Sequence, residues 1–262
     1  MKIAISGKGG VGKTTLAALL AQTYADKGRA VLAVDSDPSP SLARALAFPD
    51  ELLEELQPIS EMDELIEERT GAQPGAMGSF FTLNPRVDDV PERFSAVHDG
   101  VRLLEMGSVE SGGSGCICPE SAMLKTLFTH LLFRDDDVLI MDMYAGVEHL
   151  GRATVDFVDA LLIVVEPTRR SLSTAAQIKK LAEDIGLESM WLVGNRIRGD
   201  EDLAFLEQEV FDIPLLGYMP EESLVVEADR RNDSVYRLAP EMREAAGRIA
   251  DALAEAMRVS GP

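Results

Sequence analysis

The chain of 262 residues contains only two cysteines, and no long hydrophobic run occurs in it. Two cysteines cannot form a disulfide framework in a chain of this length, which indicates a reducing compartment. No stretch approaches about 18 consecutive apolar residues, the length that a membrane-spanning helix requires. The first residues show neither the apolar core of a signal peptide nor a cleavage site. These absences predict a soluble, cytoplasmic protein.

Basic residues are also scarce, since 25 Lys plus Arg stand against 45 Asp plus Glu, a formal net charge of −20. Such a surface would repel nucleic acid and anionic membranes. We therefore expect neither of them to be the main partner. The hydrophobic fraction of 46% is close to that of globular proteins and allows a sizeable core.

Short apolar runs alternate with amphipathic helical patterns along the chain. Runs rich in Val, Ile and Leu are typical of strands that are buried on both faces of a sheet. The alternation predicts an α/β fold with a mostly parallel, doubly wound sheet flanked by helices. The predicted strands are residues 2–6, 30–35, 101–106, 138–142, 161–165, 190–193 and 214–216, and the clearest predicted helices are 14–27, 172–185 and 240–257.

Residues 48–100 are the least regular part of the sequence. Residues 50–56 and 61–69 are acidic and predict helices, and a loop with Gly and Pro follows at 71–78. The apolar content of this region is too low for a core of its own. We therefore expect a helical and loop insertion that lies over the sheet of a single domain, residues 1–262.

A glycine-rich loop, residues 7–15, follows the first predicted strand and precedes the first predicted helix. Its sequence GKGGVGKTT fits the P-loop pattern G-x-x-x-x-G-K-[ST], in which backbone N–H groups and the helix start bind phosphates. Lys13 is expected to reach the β- and γ-phosphates of a nucleotide, and the Thr14 hydroxyl to ligate Mg²⁺. The predicted nucleotide-binding residues of this loop are Gly9, Gly10, Val11, Gly12, Lys13, Thr14 and Thr15.

Lys8 is a second lysine early in this loop. With it, the loop resembles the deviant Walker A motif of the MinD, ParA and nitrogenase-iron-protein class of P-loop ATPases. The resemblance implies an ATP-dependent homodimer in which Lys8 crosses the interface to the phosphates of the partner. A cation supplied in this way would stabilise the charge that develops during phosphoryl transfer. The alternative is a solvated loop lysine.

Carboxylates end two predicted strands, at the edge where ligands of parallel sheets bind. Asp142 ends an apolar strand, which is the Walker B pattern, and is expected to hold the water shell of the metal. Asp35 is expected either to support Mg²⁺ through water or to cap the strand end. By resemblance, Asp37 is the switch I aspartate that orients the attacking water; a turn or helix cap is the alternative. Gly146 is expected to bring a backbone N–H to the γ-phosphate.

Two later strand ends are candidates for recognition of the base. Asn195 follows the predicted strand 190–193, and its carboxamide offers the donor and the acceptor that the adenine edge requires. In the resembled class the matching Asn contacts adenine. Pro220 follows a later strand and is a second candidate. A helix or turn cap is the alternative for Asn195.

Both cysteines, Cys116 and Cys118, lie in a Gly/Ser/Pro loop between a predicted strand and a helix. A disulfide across so short a ring would be strained, and this loop composition is not that of a core. Accessible thiolates remain, with pKa values lowered by the adjoining helix start. A soft or borderline metal takes about four ligands, so two copies of the chain would complete a four-thiolate site on a two-fold axis. Metal affinity and ATP state would then be linked.

Residues 116–119, 142–152 and 165–169 resemble the CooC-type ATPases, the nickel-insertion factors of carbon monoxide dehydrogenase. The likeness runs through nearly the whole chain. It implies that Cys116 and Cys118 bind Ni²⁺, and also Zn²⁺, at the dimer interface. It also implies that hydrolysis of ATP to ADP accompanies delivery to a client nickel enzyme. Tyr144 departs from the family pattern, in which an acidic residue is common at that place.

Two other functions compete with this interpretation. A positioning ATPase of the MinD or ParA type needs a basic DNA-binding face or a basic amphipathic tail, and the sequence shows neither pattern. An iron–sulfur carrier ATPase would place its cysteines in two separate loops or in a Cys-x₂-Cys pair near the C-terminus. The Cys-x-Cys pair in the middle of this chain fits neither arrangement well. Acetyl-CoA synthase is the alternative client to carbon monoxide dehydrogenase.

Overall fold

An eight-stranded sheet forms the centre of the protein, seen in a computed structural model that describes residues 1–75, 80–107, 118–133, 137–143, 158–209 and 213–259. The strands are β1 (Lys2–Gly7), β2 (Val31–Ser36), β3 (Ala96–His98), β4 (Val101–Glu105), β5 (Val138–Met143), β6 (Ala160–Val165), β7 (Met190–Ile197) and β8 (Leu215–Pro220). Their spatial order is β3-β4-β2-β5-β1-β6-β7-β8. All neighbouring pairs are parallel except β3 and β4, which confirms the predicted sheet.

Helices lie on both faces of this sheet, and α1, α7 and α11 correspond to the clearest predicted helices. In the described ranges, no helix is long and apolar enough to cross a membrane. The helices are α1 (Lys13–Asp26), α2 (Leu42–Ala45), α3 (Asp50–Glu55), α4 (Asp63–Thr70), α5 (Val90–Arg93), α6 (Pro119–Phe133), α7 (Arg169–Ile185), α8 (Asp200–Glu209), α9 (Leu224–Arg231), α10 (Val235–Leu238) and α11 (Pro240–Val259), with a 3₁₀ turn at Ile59–Glu61.

The sheet separates two apolar cores, because alternate residues of each strand point to opposite faces. Leu32 and Val34 of β2 belong to the core that contains the buried residues of α6 and α7. Val31 and Ala33 belong to the core that contains those of α1 and α11. All four side chains are at most 5% exposed. Burial on both faces explains why the strands are continuous apolar runs in the sequence.

β1 lies between β5 and β6, at the switch point of the sheet. The register pairs Ile5 of β1 with Asp142 of β5 on one side and with Leu162 of β6 on the other. Strands β2 and β4 lie beyond β5 on one side of β1, and strands β7 and β8 lie beyond β6 on the other side. Open α/β sheets bind ligands at such a point, outside the carboxyl ends of the strands. The glycine loop, residues 7–15, starts there.

The region 48–100 contains a strand that the sequence pattern does not predict. β3 pairs with β4 in the antiparallel direction at the edge of the sheet. With only three residues, it is too short to produce a recognisable alternation. Ile59 and Ile66 of the same region are fully buried and belong to the core that includes α6. The region therefore shares a core with the sheet and α6, and its being an insertion stays a prediction.

Replacement of Ile249 by Ala should destabilise the protein, because this side chain fills the contact between α11 and β8. Ile249 is 1% exposed, and its Cγ1 would lie 3.0 Å from a β-carbon placed on Gly217. We expect I249A to lower the free energy of unfolding by about 2–5 kcal/mol, measured by urea denaturation.

Its neighbour Arg248 provides the control. Arg248 is exposed, and its only ion pair among the described residues is a 4.0 Å contact with Glu244. R248A should change the free energy of unfolding by no more than about 0.5 kcal/mol. An equally small change for I249A would contradict the packing described.

Candidate functional site

The glycine loop adopts a backbone conformation that requires glycine. Gly10 and Gly12 have φ angles of 75° and 100°, in the left-handed region. A β-carbon on Gly12 would lie only 2.2 Å from Nδ2 of Asn195. A β-carbon on Gly9 or Gly10, in contrast, would meet no atom within 4 Å. The loop is therefore anchored on the Asn195 side and leaves space for a ligand at Gly9 and Gly10.

The two lysines of the loop occupy different environments. Lys13 is 7% exposed, and its Nζ lies 3.5 Å from the carbonyl oxygen of Lys8. The Lys8 side chain is only half-buried. In the part of the chain that the structure describes, neither amine forms an ion pair. A buried ammonium group that forms no ion pair with the described residues is unfavourable, so an anion such as phosphate would compensate the charge of Lys13.

Asp142 lies near the end of β5, beside the start of α1. It is 2% exposed and accepts a hydrogen bond from the Thr14 hydroxyl. Its Oδ1 has no hydrogen-bond partner among the described residues. Burial and the negative charge of Asp35 raise the pKa of Asp142 to about 7, although Thr14 and Lys13 act in the opposite direction. A buried, unpaired carboxylate oxygen beside a threonine hydroxyl fits the oxygen ligands that Mg²⁺ or its water shell prefers.

Asp35 serves as a cap for the segment that follows β2. Its Oδ1 accepts the backbone N–H of Asp37 at 3.0 Å. Its Oδ2 accepts those of Ser41 at 2.8 Å and Leu42 at 2.9 Å, at the start of α2. Both oxygens are therefore engaged by the backbone. Asp35 therefore caps the start of α2 as well as the turn after β2, whereas the sequence predicted a cap of the strand end only.

Asp37 is more exposed than Asp35 and forms a local turn. Its Oδ1 accepts the backbone N–H of Ser39 at 2.9 Å, which is the geometry of the turn that was its alternative interpretation. Its negative charge nevertheless contributes to the raised pKa of Asp142. The role of Asp37 in orienting water stays a prediction.

A third buried carboxylate, Glu105, lies in line with Asp35 and Asp142, and these three residues are called the carboxylate row below. The sequence pattern alone does not single out Glu105. The register pairs Asp35 with Asp142 on one side and with Glu105 on the other, so the three side chains share one face of the sheet. Glu105 is 9% exposed, and burial together with the charges of Asp35 and Glu61 raises its pKa to about 7. The available signal was an apolar strand ending in an acidic residue, Val101–Glu105, as at Asp142.

Asn195 and Pro220 line a cavity of about 630 Å³ beside the glycine loop. Nδ2 of Asn195 donates to the carbonyl oxygen of Val11 at 2.7 Å, and its Oδ1 accepts the N–H of Arg196 at 2.9 Å. The carboxamide thus already binds backbone groups on both sides. It retains a second N–H and a second lone pair, so contact with adenine stays a prediction.

Cys118 lies at the N-terminus of α6, as predicted. Its thiol donates to the Ser121 hydroxyl at 3.1 Å, and its Sγ accepts the N–H of Ser121 at 3.4 Å. Burial raises the pKa of the Cys118 thiol despite these bonds, and the carboxylate of Glu120 acts in the same direction. The predicted lowering of the Cys118 pKa by the helix start is therefore wrong, because burial outweighs it.

Cys116, Gly146 and Tyr144 lie outside the described residues. The thiolate pair and the contact of Gly146 with the γ-phosphate therefore stay predictions. Within the described ranges, no group of three or more His, Cys, Asp or Glu side chains is arranged to hold a metal ion. Residues 108–117 join the strand that carries Glu105 to Cys118. The cysteine loop is thus continuous in sequence with a strand that ends at the carboxylate row.

Comparison with known proteins identifies relatives along nearly the whole chain. A family model described as the CobQ/CobB/MinD/ParA nucleotide binding domain matches residues 2–235. The chain is 46% identical over 255 residues to the carbon monoxide dehydrogenase accessory protein CooC of Rhodospirillum rubrum, covering 97% of each protein. It is 45% identical over 231 residues to an uncharacterised ATP-binding protein of Methanocaldococcus jannaschii, covering 87% of this chain and 88% of that protein.

Solved structures with the same fold include cell-division and partition ATPases. The MinD protein of Aquifex aeolicus superimposes with a TM-score of 0.65 at 22% identity, covering 100% of this chain and 98% of that one. A ParA family ATPase from Chlorobium tepidum has a TM-score of 0.68 at 19% identity, covering 96% and 98%. At these identities the likeness establishes the fold alone.

Replacement of Glu105 by Gln should alter how stability depends on pH. In the folded protein the pKa of Glu105 is raised to about 7, whereas its ordinary value is 4.5. As the pH rises, the unfolded chain therefore releases the Glu105 proton at a lower pH than the folded protein does. The wild-type protein therefore loses stability as the pH rises through this window, whereas glutamine cannot ionise. We therefore expect E105Q to become more stable relative to wild type as the pH rises. The difference between their free energies of unfolding should grow by about 1 kcal/mol or more from pH 5 to pH 8.

Urea denaturation at the two pH values measures this difference. Glu64→Gln, at an exposed position of α4, is the matched control and should show no such growth. A constant difference between E105Q and wild type across this range would contradict the environment described for Glu105.

Proposed function

This chain belongs to the CobQ/CobB/MinD/ParA nucleotide-binding family, and on that premise we propose that it is an ATP-dependent metallochaperone that assists nickel insertion into carbon monoxide dehydrogenase. The observation that carries the proposal is that Cys118, at the start of α6, follows in sequence soon after β4, which ends at the carboxylate row. The identity of 46% with an accessory protein of carbon monoxide dehydrogenase supports the choice of client.

ATP is the substrate of the glycine loop in this proposal. The backbone N–H groups of residues 9–15 bind the phosphates, and Lys13 neutralises the β- and γ-phosphates. Thr14 and Asp142 hold Mg²⁺ or its water shell, and the bound ion would neutralise charge on the phosphate oxygens. Asp37 orients the attacking water, and hydrolysis yields ADP and phosphate. Asn195 and Pro220 contact adenine, and Gly146 contacts the γ-phosphate.

The metal is cargo rather than a resident cofactor. Cys116 and Cys118 of two copies of the chain would supply four thiolates, a donor set suited to soft or borderline ions such as Ni²⁺ and Zn²⁺. Because each copy supplies only half of the ligands, the site forms when the homodimer forms. In sequence, the cysteines follow closely after β4, which ends at the carboxylate row, and we therefore expect hydrolysis and metal release to be linked.

Metal titration tests the shared site. We expect one Ni²⁺ or Zn²⁺ per dimer in the presence of ATP, measured by equilibrium dialysis together with sedimentation. The Cys116→Ala, Cys118→Ala double variant should lose this binding because it lacks all four thiolates.

The same variant should still bind ADP, which provides its folding control. Unchanged metal binding in the double variant would refute the cysteine site. A stoichiometry of one ion per monomer would refute a metal site that two copies of the chain share.

Separate replacements of Lys8 and Lys13 test the arrangement of the ATP site. K13A should lose nucleotide binding, because the buried amine compensates the phosphate charge. K8A should still bind nucleotide as a monomer but lose ATP-dependent dimerisation, and its hydrolysis rate should fall by about a hundredfold or more. K27A, at an exposed lysine paired with Asp251, is the control and should match wild type.

A mixture of K8A and K13A chains distinguishes a lysine acting across the interface from one acting within its own chain. In a mixed dimer, one site combines the intact Lys13 of the K8A chain with the intact Lys8 of its partner. Partial recovery of hydrolysis on mixing is therefore expected. No recovery, although mixed dimers form, would contradict the role of Lys8 across the interface.

A further inference from the structure

Two consecutive residues of β7 contact two consecutive carbonyl groups of the glycine loop. Nδ2 of Asn195 donates to the oxygen of Val11 at 2.7 Å, and Nη2 of Arg196 donates to the oxygen of Gly10 at 3.5 Å. Successive side chains of a regular strand point to opposite faces of a sheet. Contact of both neighbours with one loop therefore requires a departure from strand geometry.

This departure is present at Arg196. The pairing of β7 with β8 shifts register between Gly194 and Ile197, and Arg196 has a φ of 57°, in the left-handed region. Residues with a side chain rarely adopt this conformation, and it persists where the surrounding structure holds it. The bulge turns Arg196 towards the loop that Asn195 also contacts.

Glu166 holds the guanidinium group in place. It follows β6, and its Oε1 accepts a hydrogen bond from Nη1 of Arg196. The backbone N–H of Glu166 donates to the Ser171 hydroxyl at 3.0 Å, which ties Glu166 to the first turn of α7. The Glu166 side chain is 18% exposed and that of Arg196 57%, so the carboxylate is the more firmly placed partner. The guanidinium group thus binds Glu166 through Nη1 and faces the carbonyl oxygen of Gly10 through Nη2.

Anchored carbonyl groups determine the direction of the next N–H groups. In a trans peptide the C=O of one residue and the N–H of the next point in opposite directions. The Asn195 bond to Val11 therefore directs the N–H of Gly12 away from Asn195. The peptide between Gly10 and Val11 is held twice, since the N–H of Val11 also donates to the oxygen of Lys8 at 3.2 Å.

We propose that the Glu166–Arg196 ion pair is a positioning device for the glycine loop, and that Arg196, which also lines the cavity beside that loop, thereby determines nucleotide affinity. This inference rests on the proposed function in one respect, namely that the loop binds ADP and ATP. A loop that is already held in its binding conformation loses less entropy when the phosphates bind. Arg196 is thus a positioning residue that acts through Gly10.

The test uses the full-length protein and four variants. Arg196→Gly removes the side chain while favouring the positive φ, which protects the fold. Arg196→Lys keeps the charge but cannot contact Glu166 and Gly10 with a planar fork. Glu166→Gln removes the ionic partner, and the fourth variant combines R196G with E166Q. Arg198→Ala is the matched control, because Arg198 lies two residues along the chain and pairs at 3.0 Å with Asp202 instead.

Affinities for ADP and ATP are measured by titration, and the melting temperature is measured without nucleotide. We expect R196G and E166Q each to weaken the affinities for ADP and ATP by about five- to tenfold. The affinities of R196K should lie between those of wild type and R196G. The double variant should bind no more weakly than R196G, because the two residues act as one unit. R198A should match wild type, and the nucleotide-free melting temperatures of R196G and E166Q should stay close to that of wild type.

Equal affinities of R196G and wild type would overturn the inference. Fully additive losses in the double variant would also overturn it, as would a melting temperature that falls along with affinity, since that outcome indicates a merely structural role. A wild-type protein that binds neither ADP nor ATP would refute the proposed function itself. The two failures are therefore distinguishable, because failure of the inference alone leaves wild-type binding intact.

Discussion

Parallel pairing of β1 with β5 on one side and β6 on the other is the constraint on which the site depends. Because these strands run in one direction, their carboxyl ends open at one edge, where the glycine loop begins. Backbone hydrogen bonds fix the register there, and so bring Asp142 next to Ile5 across a long separation in sequence. Asn195 reaches the glycine loop from the same edge, because β7 runs parallel to β6.

This edge of the sheet concentrates buried negative charge. Burial raises the pKa values of Asp35, Glu105 and Asp142, which lie side by side on adjacent strands. Three such groups are unfavourable for folding when all are ionised. Backbone N–H groups compensate Asp35, whereas Oδ1 of Asp142 lacks a partner among the described residues. A cation that binds there would therefore also stabilise the fold.

The strands, the main helices and the glycine loop could be predicted because local patterns encode them. Apolar runs, helical periodicity and glycine spacing require no knowledge of distant residues. Glu105 was missed because its importance depends on β4 being the neighbour of β2, and strand order is not encoded locally. The contacts of Arg196 were equally hidden, since the bulge in β7 arises from its pairing with β8.

The fold class, the glycine loop and the family could be read from the amino-acid sequence alone, because they follow from motifs contained in short segments. Three other features became evident from the folded chain: Asp35 caps α2, Asn195 anchors Val11, and burial raises the pKa of Cys118. Each of these outcomes depends on which backbone groups and charges come within a few ångströms of a side chain. That proximity arises from packing between segments far apart in the chain, and no local pattern records it.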